Sequence, residues 1–318
     1  MVLLSETNSK FGAPFLADLL AHPDVDVAAV VTRPPGTLCD YYLGEQDPVD
    51  LAEQATLAGT PVLRPHSINA PETVAALRDL APDYLLIANY QQILREPVLA
   101  VPRRAVVNFH PSPLPRYAGL APFFWMAHRG ERDAGVTALI TTPDIDAGPI
   151  LAQRPVGLTG TESAGEIRDV LFRESRRLLH EVIPRLAAGD LDATPQDPTR
   201  RSYFSRPTPQ DMTLDWSWPA ERVLRVIRAC QPQPGALTTL DGGLRIHSAR
   251  ALPGPHAPEG TVRTDPELGL TIACADAWIQ VLSLSWHPQD DAAGRQAVPS
   301  ARSDLSDGLK HLLTTRIE

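Results

Sequence analysis

The chain has 318 residues, a length that predicts about two domains. Its 38 acidic residues exceed its 29 basic residues, and the net charge of −9 argues against a general nucleic-acid binder. No apolar run is long enough to span a bilayer, and no signal-peptide pattern is present. The cysteines at 39, 230 and 274 stand far apart, which excludes a disulfide framework and a CxxC metal site. We therefore expect a cytoplasmic protein with reduced thiols.

Short apolar runs alternate with helical periodicity through the first half of the chain. The runs predict strands, and apolar positions spaced three or four apart predict helices. Strands are predicted at 27–31, 61–63, 84–88, 105–107, 136–140 and 150–151, and helices at 51–57, 71–81, 120–127 and 166–186. This alternation predicts an α/β fold with a doubly wound, mostly parallel, Rossmann-like sheet covered by helices on both faces.

The composition changes after Gly189. Residues 191–212 are rich in Pro, Thr, Arg, Asp and Gln and have no period, which predicts a linker. A predicted helix at 219–230 is followed by strand patterns, and Asp241-Gly242 between two of them is a hairpin signal. The predicted organisation is an α/β domain at 1–190, a linker at 191–212 and a smaller, mainly β, OB-like barrel at 213–318.

The densest polar stretch continues the strand at 105–107. Asn108 and His110 stand two apart, so their side chains lie on one face of an extended chain. Ligands of open α/β sheets bind beyond the carboxyl ends of strands, where an amide and an imidazole can polarise a carbonyl and move a proton. The alternative is that His110 is a hydrogen-bonded structural residue.

A second polar stretch follows the strand at 136–140. It contains two carboxylates, Asp144 and Asp146, ahead of Gly148. Parallel strands would place this loop beside His110, where an acid can orient the imidazole and stabilise its cation. The alternative is an Asx-type turn with solvated carboxylates.

Together the stretches 108–119, 135–137 and 144–148 resemble the 10-formyltetrahydrofolate-dependent formyltransferases. The stretches 215–221 and 227–238 resemble the second domain of methionyl-tRNA formyltransferase and of some sugar formyltransferases. The resemblance covers nearly the whole chain. It implies a catalytic domain at 1–190, 10-formyltetrahydrofolate as cosubstrate and no metal. It also implies catalytic roles for Asn108, His110 and Asp146, and folate contacts at Gln92, Ile93, Leu94 and Asp144.

The implied reaction is attack of a neutral amine on the formyl carbon. Asn108 donates a hydrogen bond to the oxygen that gains charge. His110 either accepts the amine proton or, when protonated, stabilises that oxygen, and Asp146 sets its tautomer.

The acceptor is predicted from the loop at 33–50. Methionyl-tRNA formyltransferases have a basic loop at this place, whereas this loop has one arginine and four acidic residues. Because binding of nucleic-acid phosphates needs Lys and Arg, the sequence favours a small-molecule amine over tRNA, either an amino acid derivative or an amino sugar. Candidate substrate contacts are Thr7, Asn8, Tyr41 and Tyr42. The alternatives are a methionyl-tRNA formyltransferase of translation initiation and, from another class, a folate-binding regulator or hydrolase.

Overall fold

The structure is a computed structural model that describes residues 1–39, 48–238, 240 and 243–286. The chain forms two compact units. Unit 1 comprises Met1–Pro122, Glu131–Thr159 and Glu166–Arg206, and unit 2 comprises Phe123–Gly130, Gly160–Gly165 and the chain from Pro207 onward. Tyr41, Tyr42 and the Asp241-Gly242 turn lie outside the described residues. The domain division at 190 and 213 stays a prediction.

Unit 1 contains a seven-stranded sheet. In spatial order its strands are β3 (Val62–Leu63), β2 (Ala29–Val31), β1 (Val2–Leu4), β4 (Tyr84–Ile87), β5 (Ala105–His110), β7 (Asp133–Ile140) and β8 (Ile150–Gly157). The first five strands pair in parallel, and β7 and β8 pair antiparallel. The predicted α/β fold with a mostly parallel sheet is therefore confirmed.

Six helices of the described chain precede residue 190. They are α1 (Gly12–Ala21), α2 (Leu51–Leu57), α3 (Pro71–Asp79), α4 (Glu96–Leu99), α5 (Pro122–Arg129) and α6 (Ala164–Ala187). The predicted helices correspond to α2, α3, α5 and α6. Helix α1 was not predicted, because its apolar residues follow Gly12 and Pro14 in a nearly continuous run that shows no clear period.

Strand alternation determines which side chains of β5 face the site. Phe109 is 1% exposed and its ring packs edge-on against Phe15 of α1, with centroids 5.0 Å apart. Phe15 in turn packs on Phe11, which stacks on Phe172 of α6. Burying a phenylalanine stabilises the fold by ~1.5–3 kcal/mol. Since neighbouring strand residues point to opposite faces, this aromatic cluster turns Asn108 and His110 toward the other face.

The direction of β7 corrects one expectation. The loop after β7 was expected to meet His110 because parallel strands end at the same edge. Instead β7 runs antiparallel to β5, with Ile140 opposite Val107. The loop at 141–149 is the turn of a β7–β8 hairpin, and it starts beside Val106, whose carbonyl accepts the Thr141 N–H. This turn, and not a parallel crossover, brings Asp146 to β5.

Unit 2 contains a six-stranded, mainly antiparallel sheet, helix α7 (Ala220–Ala229) and all of α5 except its first residue. In spatial order its strands are β10 (Thr213–Leu214), β11 (Ala236–Thr238), β12 (Leu244–Leu252), β15 (Trp278–Trp286), β14 (Gly269–Ala273) and β13 (Val262–Asp265). This agrees with the prediction of a mainly β second half. Among the described helices of the whole chain, none has the length and apolar character needed to cross a membrane.

The first part of the segment predicted as a linker, up to Arg206, belongs to unit 1. Its short strand β9 (Tyr203–Phe204) pairs in parallel with β6 (Ala118–Gly119). A 3₁₀ turn at Pro198–Arg200 precedes β9. The segment therefore contacts the loop that follows β5.

Candidate active site

Asn108, His110 and Asp146 lie together at the end of β5. Asn108 Nδ2 lies 3.5 Å from Asp146 Oδ1, and His110 Nδ1 lies 3.8 Å from Asp146 Oδ2. The side chains of His110 and Asp146 are 9% and 11% exposed. The structure thus brings together the amide, imidazole and carboxylate that the sequence selected.

The surroundings of His110 identify its neutral tautomer. Its Nε2 atom lies 3.1 Å from the carbonyl oxygen of Tyr117. A carbonyl can only accept a hydrogen bond, so Nε2 carries the proton and Nδ1 has the free lone pair of the neutral ring. The Tyr117 carbonyl therefore sets the tautomer, not Asp146 as the sequence predicts, since Asp146 lies 3.8 Å from Nδ1. Nδ1 is the atom beside Asp146, so a proton taken up there meets a carboxylate that stabilises the resulting cation.

Two left-handed backbone positions shape the loop that holds Asp146. The Gly119 N–H donates to Asp146 Oδ2 at 2.8 Å, and Gly119 has a φ of 95°. Asp146 has a φ of 50°, a region that residues other than glycine rarely adopt. A Cβ at Gly119 would lie 2.3 Å from the carbonyl oxygen of Phe204, so this position accepts only glycine.

Glu131 holds the residue that orients His110. Its Oε2 atom accepts hydrogen bonds from the Tyr117 hydroxyl at 2.8 Å and from Arg116 at 3.1 Å. Burial raises the pKa of Glu131, but the Asp133 N–H, the Tyr117 hydroxyl and Arg116 outweigh it, so the pKa lies below its usual value. Glu131 was not predicted, because it lies outside the family-like motifs.

The four predicted folate contacts differ in their surroundings. Both ends of the Gln92 amide are engaged, with the Ile68 N–H at 2.7 Å and the His66 carbonyl at 2.9 Å. Leu94 is buried in the core, whereas Ile93 is 65% exposed. Asp144 is exposed in the turn that carries Asp146. Of the four, Ile93 and Asp144 have side chains open to a ligand, and all four contacts stay predictions.

Thr7 and Asn8 are the two predicted substrate contacts that the structure describes, and they follow β1. Thr7 Oγ1 lies 3.0 Å from Thr32 Oγ1. The Asn8 amide bonds both the carbonyl and the N–H of Cys39, at 3.1 and 2.8 Å. Asn8 thus holds the start of the loop after β2, and the proposed contact of these residues with an acceptor stays a prediction.

A buried polar cluster beside them was not predicted in full. Glu6 is 2% exposed, accepts the Gln91 N–H at 2.8 Å and lies 3.8 Å from Arg33. Burial raises the pKa of Glu6, opposed by the Gln91 N–H and Arg33. Burial also raises the pKa of Tyr90 to about 12. Their positions in the sequence could have indicated the cluster, because Glu6 and Tyr90 closely follow β1 and β4, and ligands bind beyond the carboxyl ends of such strands.

Comparison with known proteins identifies the family. The family model described as formyl transferase matches residues 1–183, and the model described as formyl transferase, C-terminal domain, matches residues 206–299. The chain belongs to the formyl transferase family. It is a folate-dependent formyltransferase, and 10-formyltetrahydrofolate is its expected cosubstrate. In the described part of the enzyme, no group of three or more His, Cys, Asp or Glu side chains is arranged to hold a metal ion.

Two curated relatives of this formyltransferase are named methionyl-tRNA formyltransferase. The protein from Roseiflexus castenholzii is 36% identical over 289 residues, which cover 90% of each chain. The protein from Acidothermus cellulolyticus is 38% identical over 244 residues, covering 76% of this chain and 75% of its own.

Solved structures with a similar fold include proteins with other names. An N-formyltransferase from Helicobacter canadensis, in complex with folinic acid and dTDP-3-aminofucose, has a TM-score of 0.67 at 17% identity and covers 88% of this chain and 98% of its own. HypX from Aquifex aeolicus in complex with tetrahydrofolic acid has a TM-score of 0.65 at 18% identity, covering 97% of this chain and 47% of its own. At these identities the likeness concerns the fold.

Proposed function

We propose that this formyltransferase moves the formyl group of 10-formyltetrahydrofolate to a primary amine through Asn108, His110 and Asp146. The His110 tautomer carries the proposal, because its Nδ1 lone pair is the proton acceptor beside a carboxylate. The amine nitrogen attacks the formyl carbon, its proton passes to Nδ1, and the Asp146 carboxylate stabilises the imidazolium. Asn108 donates to the formyl oxygen as it gains charge. The bond from the formyl carbon to the folate nitrogen then breaks as that nitrogen receives the proton held by His110, which returns the imidazole to its neutral form and releases tetrahydrofolate.

Each of these groups has a characteristic contribution to the rate. A preorganised donor to a developing oxyanion contributes ~10²–10³ in rate. A positioned general base contributes ~10²–10⁴. Substituting any one of the three residues should therefore lower the rate by an amount that steady-state kinetics resolves easily.

Methionyl-tRNA is the first acceptor to test. The comparisons support it, since relatives at 36% and 38% identity have that name. The acidic loop at 33–50 had placed this acceptor second.

An arginine cluster of unit 2, formed by Arg129, Arg222, Arg225 and Arg228, supports the tRNA proposal. Arg225 donates to the Arg129 carbonyl at 3.3 Å, and the Arg222 guanidinium lies 3.8 Å from the Trp218 ring centre. Burial lowers the pKa of His128, Asp211 opposes this, and Arg222, Arg129 and Arg225 lower it further. Glu221 pairs with Arg225 and Arg228 and offsets one charge. Several guanidinium groups near one another suit a phosphate backbone.

A small-molecule amine is the second candidate. It is favoured by the four acidic residues of the 33–50 loop and by the net charge of −9. Such a loop suits a cationic amine better than it suits a phosphate backbone.

The test is release of tetrahydrofolate from 10-formyltetrahydrofolate by the purified chain. Methionyl-initiator tRNA is compared with amino acids, hydroxylamino acids and nucleotide-linked amino sugars. We expect release with methionyl-tRNA that falls ~10²–10⁴-fold in His110→Ala. Release with a small amine alone selects the second candidate. Equal release without any acceptor contradicts amine transfer and indicates a hydrolase.

A further inference from the structure

Two side chains of the segment after α6 hold the turn that carries Asp146. Gln196 Nε2 donates to the carbonyl oxygens of Asp146 and Gly148, each at 2.8 Å. Arg201 donates to the carbonyl oxygens of Ile145 at 2.6 Å and of Asp146 at 3.3 Å. The Asp146 carbonyl therefore accepts from both side chains, although they lie 50 and 55 positions away in the sequence.

These contacts act on the left-handed backbone conformation of Asp146. Asp146 has a φ of 50°, and a residue with a Cβ keeps such a conformation only when its surroundings enforce it. Within the turn itself, the Ala147 N–H bonds the Asp144 carbonyl at a long 3.3 Å. Gln196 and Arg201 supply four further hydrogen bonds, two of them charge-assisted, which are the stronger kind.

The same segment also holds the other side of the Asp146 carboxylate. The Ala118 N–H bonds the Ser202 carbonyl at 2.9 Å, and the Leu120 N–H bonds the Phe204 carbonyl at 2.8 Å. Between them, the Gly119 N–H points away from β9 and donates to Asp146 Oδ2. One segment thus fixes both the backbone of the acid and the amide that its carboxylate accepts.

We propose that Gln196 and Arg201 are positioning residues for formyl transfer, acting through Asp146. The inference rests on the proposed catalytic role of Asp146. Without the two side chains the turn relaxes from its left-handed conformation, and the carboxylate leaves His110 Nδ1 and the Gly119 amide. Small misplacements of reacting groups can lower rates by ~10²-fold.

The kinetic test compares Gln196→Ala, Arg201→Ala and Arg201→Lys with Arg200→Ala, a matched control because Arg200 is the exposed neighbour of Arg201. We expect kcat to fall by ~10–100-fold in Arg201→Ala with KM for both substrates little changed. Lysine can reach one carbonyl where arginine bonds two, so Arg201→Lys should lie between. Arg200→Ala should match the wild type. In an Asp146→Asn background, Arg201→Ala should add little, because residues that act through one another are not additive.

A second readout needs no acceptor and no activity. Hydrogen exchange of the Gly119 amide should quicken in Arg201→Ala and Gln196→Ala, while the Ala118 and Leu120 amides stay protected by β9. Quicker exchange of all three amides would mean that β9 has separated, which overturns the proposal in favour of a structural role. Unchanged Gly119 exchange together with wild-type kcat also overturns it. If the wild type transfers no formyl group but Gly119 alone responds, the positioning stands and the catalytic role of Asp146 fails.

Discussion

At the scale of single residues, His110 combines a fixed tautomer with a nearby carboxylate. The Tyr117 carbonyl accepts from Nε2, which leaves Nδ1 as the atom of the neutral ring that can accept a proton. Asn108 points from the same face of β5, because Phe109 between them is buried against α1. These relations follow from the alternation of side chains along β5 and from the position of the Tyr117 carbonyl.

Asn108→Ala should remove the donor to the formyl oxygen. We expect kcat to fall ~10²–10³-fold, with unfolding temperature near that of the wild type, since the amide is only partly buried and its one hydrogen bond in the described structure is long. Single-turnover formyl transfer measures the chemical step directly. A kcat within a factor of about two of the wild type would exclude Asn108 as the oxyanion donor.

Glu131 gives a pH dependence. Burial raises its folded-state pKa, but four donors, the Asp133 and Arg132 N–H groups, the Tyr117 hydroxyl and Arg116, outweigh burial and hold the pKa below the usual 4.5. Such a carboxylate stabilises the fold above its unfolded-state pKa, and that stabilisation disappears as pH falls through the folded-state pKa. Unfolding temperature should therefore decline less steeply below pH ~4.5 in Glu131→Gln than in the wild type. Parallel declines in the two proteins would contradict this account.

At the scale of elements, the pairing of β6 with β9 depends on glycine. Gly119→Ala places a Cβ 2.3 Å from a carbonyl oxygen at a φ of 95°. We expect a loss of stability of ~1–3 kcal/mol from backbone strain, with activity falling as the Asp146 carboxylate loses its amide. Gly157→Ala is the matched control, since a Cβ at Gly157 would have no atom within 4 Å and its φ is ordinary. Equal denaturation midpoints for the two variants would refute the requirement.

Periodicity predicted most of the elements that frame the site. Helices α2, α3 and α6 have clear apolar spacing, whereas α1 begins with Gly12 and Pro14 and then runs apolar on several sides. The direction of β7 was missed because an apolar run looks the same in a parallel and an antiparallel strand. The loop at 141–149 is shorter than the dozen or more residues that a parallel crossover needs, which indicates an antiparallel β7–β8 pair but gives no direction for β7 relative to β5.

The candidate site was predicted from motifs in the first half of the chain, whereas Gln196 and Arg201, which hold the turn of Asp146, were not predicted. Asn108, His110 and Asp146 stand in family-like stretches, so their types and order were enough to select them. Gln196 and Arg201 stand in a stretch with no period, and their role depends on tertiary contacts with carbonyl groups. A carbonyl acceptor leaves no trace in side-chain composition.

Across the whole chain, the distribution of charge should distinguish the two candidate acceptors, methionyl-tRNA and a small-molecule amine. If tRNA is the acceptor, replacing Arg222 and Arg225 by Ala should raise KM for methionyl-tRNA. It should also reduce the slope of log KM against log salt by about 1 to 2, since each phosphate contact contributes ~0.7–0.9. Arg263→Ala is the control, because Arg263 also stacks on a tryptophan, at 4.2 Å, but lies outside the cluster. An unchanged salt slope would remove the cluster from tRNA binding.

Formyl transfer to an amine with His110 as the base can be followed with 10-formyltetrahydrofolate labelled with ¹³C in the formyl group. The fate of the label is measured by NMR. We predict that the label appears as the formamide of the acceptor with the wild type and appears far more slowly with His110→Ala. Label released as formate, or transfer at the same rate without His110, would contradict the account.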